Sequence, residues 1–209
     1  MDTSIKVLGI SASPRLKGNS DLLLREALAG AESTGADTEY LRLCDFDVAP
    51  CVECNACYKT GRCRIQDDYQ QISAKMLEAD RLIFATPIFF MTVCAQAKLL
   101  IDRGQCLWAH KYILKEPLLT GADHDRRAMV IAVGGSKSRK MFDSVRLTMK
   151  YYLDTLDMRY WASLFVNKVE EPGQIKQHPL ALKEAFRLAV ALAMSAPSAS
   201  QKSLDIELT

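Results

Sequence analysis

Five short apolar or alternating runs recur along the chain, each followed by a stretch with helical spacing. The runs are IKVLGI (5–10), TEYLRL (38–43), RLIFAT (81–86), RAMVIAV (127–133) and RYWASLFV (159–166). Short apolar or alternating runs of this length read as strands. Between them, residues 19–32 place Leu22, Leu23, Ala27 and Leu28 at helical spacing, with Asn19 and Ser20 as candidate caps. Residues 67–79, 95–103, 138–156 and about 179–195 also read as helices. Strands that alternate with helices imply an α/β fold with one parallel sheet covered on both faces.

Such a sheet constrains where a ligand can sit, because its binding crevice lies beyond the carboxyl ends of the strands. Loops 11–20, 86–94 and 134–138 are therefore expected to meet. At 209 residues the chain fits one domain. That domain is expected over residues 1–195, with a cysteine-rich insertion at 51–63 and a loose tail over 196–209. Residues 105–125 read as a long connection, suited to an active-site wall or a subunit contact rather than to the core.

Apolar residues at 49% and charged residues at 25% give the balance of a soluble globular protein. A net charge of +2 is too small to suggest nucleic acid or an acidic membrane as partner. The most apolar run, LIFATPIFFMTV, is too short to span a bilayer and contains Pro87. MDTSIKVLGI has no basic segment ahead of its short apolar run, so a cytoplasmic location with reduced thiols is expected. Cys44, Cys94 and Cys106 lie in apolar surroundings and read as small buried hydrophobes.

The first loop, SASPRLKGNS, carries Ser11, Ser13, Arg15, Gly18, Asn19 and Ser20 into a helix N-terminus. Hydroxyls, N–H donors and a guanidinium in that position suit a phosphate dianion. The loop lacks both the Lys-Thr end of a P-loop and the G-x-G-x-x-G of a dinucleotide fold. No G-x-S-x-G, H-E-x-x-H or catalytic carboxylate pair is present, and His110, His124 and His178 have no partner at a recognisable spacing.

Four cysteines fall within thirteen residues as C-x2-C-x2-C-x5-C: Cys51, Cys54, Cys57 and Cys63. Zinc sites usually pair two C-x2-C knuckles across a longer separation. Three cysteines at successive intervals of three, with a fourth nearby, are more like the ferredoxin wrapping of a [4Fe-4S] cubane. A cluster, a cluster-free thiol or disulfide site, and zinc remain open on spacing alone.

GISASPRLKGNS resembles the flavin-phosphate loop of the NADPH-dependent FMN reductase and iron-sulfur flavoprotein branch of the flavodoxin-like superfamily. TPIFFMTVCAQAKLLIDR is similar to that branch's second signature, a Thr/Ser-Pro-aromatic loop and a helix ending in Lys-x-x-x-Asp-Arg. With VGGS and the cysteine segment, the likeness spans roughly residues 5–170. It implies a doubly wound five-stranded sheet of order 2-1-3-4-5, FMN, and an FMN-dependent oxidoreductase. Ser11, Ser13, Arg15, Asn19 and Ser20, with Gly18, would take the phosphate. Thr86, Pro87, Ile88, Phe89 and Phe90 would face the isoalloxazine, and Gly134, Gly135 and Ser136 its other edge. Phe89 stands where family members often carry tyrosine, and both Phe89 and Phe90 are equally compatible with core aromatics. Lys98, Asp102 and Arg103 are expected to shape structure or a subunit interface.

The resemblance further implies a [4Fe-4S] cluster on the four cysteines, a homodimer or homotetramer, and small-molecule or protein electron partners. NAD(P)H or reduced ferredoxin would be the donor. The competing readings are a cluster-free NAD(P)H-dependent FMN or quinone reductase and a non-catalytic electron carrier or redox sensor.

Overall fold

The alternating runs pair side by side in a computed structural model that describes residues 4–119, 125–195 and 203–209. The strands are β1 (Lys6–Ser11), β2 (Asp37–Arg42), β3 (Arg81–Phe89), β4 (Thr92–Val93), β5 (Arg127–Val133), β6 (Arg159–Val166) and β7 (Leu204–Leu208). The helices are α1 (Asn19–Glu32), α2 (Cys57–Thr60), α3 (Tyr69–Glu78), α4 (Ala95–Arg103), α5 (Gln105–Trp108), α6 (Met141–Thr155) and α7 (Ala181–Met194). The sheet runs β2-β1-β3-β5-β6-β7, all parallel, and β4 returns antiparallel along β3. Numbered by the five expected runs alone, the order is 2-1-3-4-5, which is the flavodoxin-like arrangement.

Strand alternation sends side chains into two separate cores. Leu8, Ile10, Leu82, Phe84, Val130 and Phe165 face the layer of α3, α4 and α6. Val7, Ile83, Ala85, Met129, Ile131 and Leu164 face α1 and α7. No side chain caps α1, contrary to the expectation for Asn19 and Ser20. Its stability comes instead from burial: Leu23, Leu24, Ala27 and Ala31 are fully inaccessible, and each such leucine contributes about 1.5–3 kcal/mol against about 1 for a cap. A Cβ at Gly30 would stand 2.5 Å from the Phe186 carbonyl oxygen, so glycine there lets α1 and α7 touch.

Three expectations are corrected. The sheet has seven strands among the described residues, not five, because Thr92–Val93 returns along β3 as β4 and the C-terminal segment is not wholly loose. Residues 204–208 alternate apolar and acidic side chains, and this period of two places them in register on β6, from Ala162–Leu204 to Val166–Leu208. Residues 196–202 of the expected tail lie outside the described residues, as does His124. Residues 105–113 continue α4 as α5 and a π-helical turn, and Cys106, Leu107 and Ala109 are core rather than connection. Cys44 is exposed, whereas Cys94 and Cys106 are buried as expected.

β7 is pinned by its acidic positions. Glu207 pairs with both Arg139 and Arg146, and Ser163 Oγ donates to Asp205 at 2.5 Å. Burial works against ionising Glu207, but the two guanidinium groups prevail and hold its carboxyl below the ordinary glutamate value. A depressed carboxylate stabilises the fold above its unfolded pKa, and that contribution is lost as pH falls through the folded pKa. Glu207→Gln should cost about 1 kcal/mol at pH 7 in urea unfolding. The deficit should narrow as the pH drops below about 4; a deficit independent of pH would show that the pairing does not hold β7.

Candidate functional site

Loops 11–20, 86–94 and 134–138 meet at the carboxyl ends of β1, β3 and β5, as the topology requires. The cleft between them is lined by Arg15, Gly18, Asn19, Ser20, Pro87, Ile88, Phe89, Gly134 and Gly135, together with Pro14, Val133, Val169 and Glu170. Its floor is the N-terminus of α1, whose first-turn N–H groups have no intrahelical acceptor. Ser20 is 1% exposed and its Oγ has no protein partner. A Cβ on Gly18 would stand 2.5 Å from Ser13 Oγ and 3.1 Å from the Arg15 carbonyl oxygen. Only glycine lets the loop close this tightly before the helix begins. An unpaired buried hydroxyl, an uncapped helix start and an exposed arginine together suit a phosphate.

The other expected residues stand behind or beside the cleft. Ser13 Oγ is consumed by its own turn, donating to the Arg15 carbonyl (2.9 Å) and accepting from its N–H (3.2 Å). Ser11 is buried on the α1 side of the sheet, beside Tyr40. Asn19 reaches the rim but is tied across it, donating to the Glu171 carbonyl at 2.9 Å and accepting from Ile175 N–H at 3.3 Å. Thr86 Oγ1 donates to the Pro87 carbonyl (2.8 Å) and accepts from Cys94 N–H (3.3 Å). The Cys94 thiol donates in turn to the Ala12 carbonyl (3.0 Å), which joins the first two loops. Ser136 is exposed, and its Oγ accepts from Ser138 N–H at 3.1 Å.

Neither Phe89 nor Phe90 is a core aromatic. Phe89 is 48% exposed and Phe90 fully so. Phe90 and Met91 form the two-residue tip of the β3–β4 hairpin with φ of +48° and +67°. Two positive φ values match the primed hairpin turn, and on non-glycine residues they store roughly 1–2 kcal/mol each.

Sequence reasoning missed Val169 and Glu170. They follow β6, whose carboxyl end also opens on the crevice, so the topology contained the signal. The Glu170 carboxylate lies directly against Gly135, on the side where a ring edge was expected. Glu170 is exposed.

The cysteine segment leaves the same end of the sheet, between β2 and α3. Cys51, Cys54, Cys57 and Cys63 line one recess with Arg103, Gln105 and Cys106. Glu53 and Asn55, with φ of +51° and +54°, coil the chain between successive cysteines. All seven cysteines are free thiols. Burial raises the pKa of the Cys57 and Cys106 thiols. Among the described residues, no three Cys, His, Asp or Glu side chains converge as ligands of a metal ion. A zinc ion would need its sulfurs within about 2.3 Å of one centre, whereas a cubane spreads its four thiolates over separate irons. The donor set and the coiled loop fit the latter. The enclosed part of the recess is about 20 Å³; Cys51 and Cys54 are its exposed cysteines and lie outside any helix or strand.

A buried ion pair fastens this loop. Arg103, 1% exposed, donates to both Asp67 carboxylate oxygens (2.5 and 3.0 Å), to the Ala49 carbonyl (2.8 Å) and to the Ile65 carbonyl (3.2 Å). Its guanidinium lies 4.6 Å from the centre of the Tyr69 ring. Burial disfavours the Asp67 carboxylate, but Arg103 and the N–H groups of Ala49 and Tyr69 hold its pKa below the ordinary value. Lys98 and Asp102 make the expected exposed i,i+4 pair, at 2.7 Å. Asp67→Asn, which strands a buried guanidinium, should cost about 3–5 kcal/mol in urea unfolding at pH 7. It should also expose the Cys57 thiol to alkylation in the native state; unchanged labelling would separate the pair from the loop.

The comparisons agree with this geometry. The NADPH-dependent FMN reductase family model matches residues 5–171. An iron-sulfur flavoprotein of Methanocaldococcus jannaschii is 33% identical over 193 residues, covering 88% of this chain and 93% of that protein. A Bacillus subtilis protein, described as a candidate NAD(P)H-dependent FMN-containing oxidoreductase, is 28% identical over 187 residues, or 88% of this chain and 96% of its own. Among solved structures, an NAD(P)H:quinone oxidoreductase from Methanothermobacter marburgensis superposes with a TM-score of 0.71. The match has 18% identity and covers 93% of this chain and all of that one, a likeness of fold. The chain therefore belongs to the NADPH-dependent FMN reductase family and is an FMN-dependent oxidoreductase of flavodoxin-like fold.

Proposed function

We propose that this oxidoreductase is an iron-sulfur flavoprotein, with FMN in the cleft and a [4Fe-4S] cluster on Cys51, Cys54, Cys57 and Cys63. The observation that carries the reading is the gathering of four free thiols around one recess. The name of the Methanocaldococcus relative supports it. In this reading the first-turn N–H groups of α1, Ser20 Oγ and Arg15 hold the flavin phosphate. The backbone of Pro87, Ile88 and Phe89 and the glycines 134 and 135 border the ring, with Glu170 swung aside. Ser11, Ser13, Asn19 and Thr86 shape the loops, and Phe90 and Ser136 stand at the rim.

When bound, FMN supplies two-electron or hydride chemistry and the cluster supplies one-electron transfer, so together they join donors and acceptors of both kinds. NAD(P)H or reduced ferredoxin is the donor class in this reading, and a small molecule or a protein the acceptor. The reading includes a reducing, cytoplasmic setting and a homodimer or homotetramer. Exposed Tyr112 and Tyr151 beside Trp108 offer an aromatic surface for such contacts. No helix among the described residues is long and apolar enough to cross a membrane.

A second reading, a cluster-free NAD(P)H-dependent FMN or quinone reductase, is favoured by the small interior of the recess and by the Bacillus relative. Iron analysis of anaerobically purified protein separates the two. The first reading expects about four irons per chain and broad visible absorption over the flavin bands, with Cys57→Ser losing iron but retaining flavin. Iron well below one per chain would sink it. Independently, Gly18→Ala should weaken flavin binding at least tenfold in fluorescence titration, because its Cβ collides with Ser13 and Arg15. Unchanged flavin affinity would place the phosphate elsewhere.

A further inference from the structure

Arg103 uses two of its three nitrogens to hold the cysteine loop, and the third is left over. Nη1 and Nη2 are engaged by Asp67, Ala49 and Ile65. Nε is buried, has no protein partner, and belongs to a side chain that lines the cysteine recess. An unsatisfied buried N–H costs roughly 1–3 kcal/mol, and a charged donor more. Such an atom persists where something outside the chain's own hydrogen bonds meets it. Cys63 lines the same recess as Arg103 and is the cysteine that acts on its guanidinium, after burial and Asp67. The charge of Arg103 is already matched by Asp67, so what it offers the recess is chiefly one directed N–H donor.

We propose that Arg103 Nε–H donates a hydrogen bond to the Cys63 sulfur when that sulfur is a thiolate ligand of the cluster, which makes Arg103 a positioning residue that raises the cluster's reduction potential. The inference rests on the iron-sulfur reading given above. A hydrogen bond to a ligating sulfur withdraws electron density and favours the reduced, more negative state of the cluster. Lysine at this position could still pair with Asp67 through its ammonium, but it has no N–H group at the Nε position. Arg103→Lys therefore tests the donor with the charge retained.

The experiment uses the full chain, purified anaerobically with about four irons per chain, with its arginines labelled with 15N at Nε. Pulsed electron paramagnetic resonance of the dithionite-reduced protein should show a 15N coupling to the cluster. Arg62 and Arg64 flank Cys63 but are exposed. The coupling should therefore survive in Arg62→Lys/Arg64→Lys, a variant that leaves the buried pair intact and settles the assignment even if Arg103→Lys does not fold. In folded Arg103→Lys the coupling should vanish. A redox titration should then give a more negative midpoint, by up to a tenfold change in the equilibrium constant, about 59 mV for one electron. A fully loaded protein with no arginine coupling, loss of the coupling in the double variant, or an unchanged midpoint in loaded Arg103→Lys each overturns the proposal. Iron well below one per chain overturns the cluster reading itself and this inference with it, which keeps the two failures apart.

Discussion

The bidentate contact between Arg103 and Asp67 is the constraint on which the cysteine loop depends. Twenty-six residues, 43–68, separate β2 from α3, and a short turn and a four-residue helix are their only regular elements. Asp67 accepts from Ala49 N–H and Tyr69 N–H as well as from Arg103, so one carboxylate gathers both ends of the loop and the end of α4. The Asp68 carboxylate adds a contact to Asp47 N–H at 2.7 Å. Removing two charges from water is costly, and a buried pair is a weak source of net stability. What it supplies here is position: with Cys57 packed in the core, the pair joins both ends of the loop to α4 and helps define where its cysteines stand.

The two candidate centres are built by different means. The cleft is a by-product of topology, since parallel strands deliver their loops to one end and α1 brings unpaired N–H groups to the floor. Most of its polar side chains serve the loops themselves, leaving Ser20, Arg15, Glu170 and the backbone as the groups facing the space. The cysteine recess owes nothing to the sheet register. It is an insertion held against α4 and α5, and its chemistry lies wholly in side chains.

That difference explains what the sequence disclosed. Five of the strands, α1 and α4 were legible because burial imposes a period on their apolar residues, and the three converging loops followed from parallel pairing. The roles of Ser13, Asn19 and Thr86 were not legible, because a hydroxyl or amide looks the same whether it faces a ligand or its own turn. Glu170 escaped because attention fell on motif residues rather than on every strand end. Arg103 was noticed only as part of a signature; that it is buried against residues 36 and 54 positions away is invisible to any local pattern. β7 was overlooked because five residues after a Ser- and Pro-rich stretch resemble a tail, although their alternation was present.

β7 also sets the character of one border of the sheet. As the last strand it replaces β6 at the border of the sheet, and it is only five residues long with Asp205 and Glu207 spaced along it. Short, acidic borders discourage another strand from adding on, since extension would strip water from carboxylates. Lateral growth of the sheet is thereby disfavoured on the β7 side, which leaves β2 as the other border of the sheet.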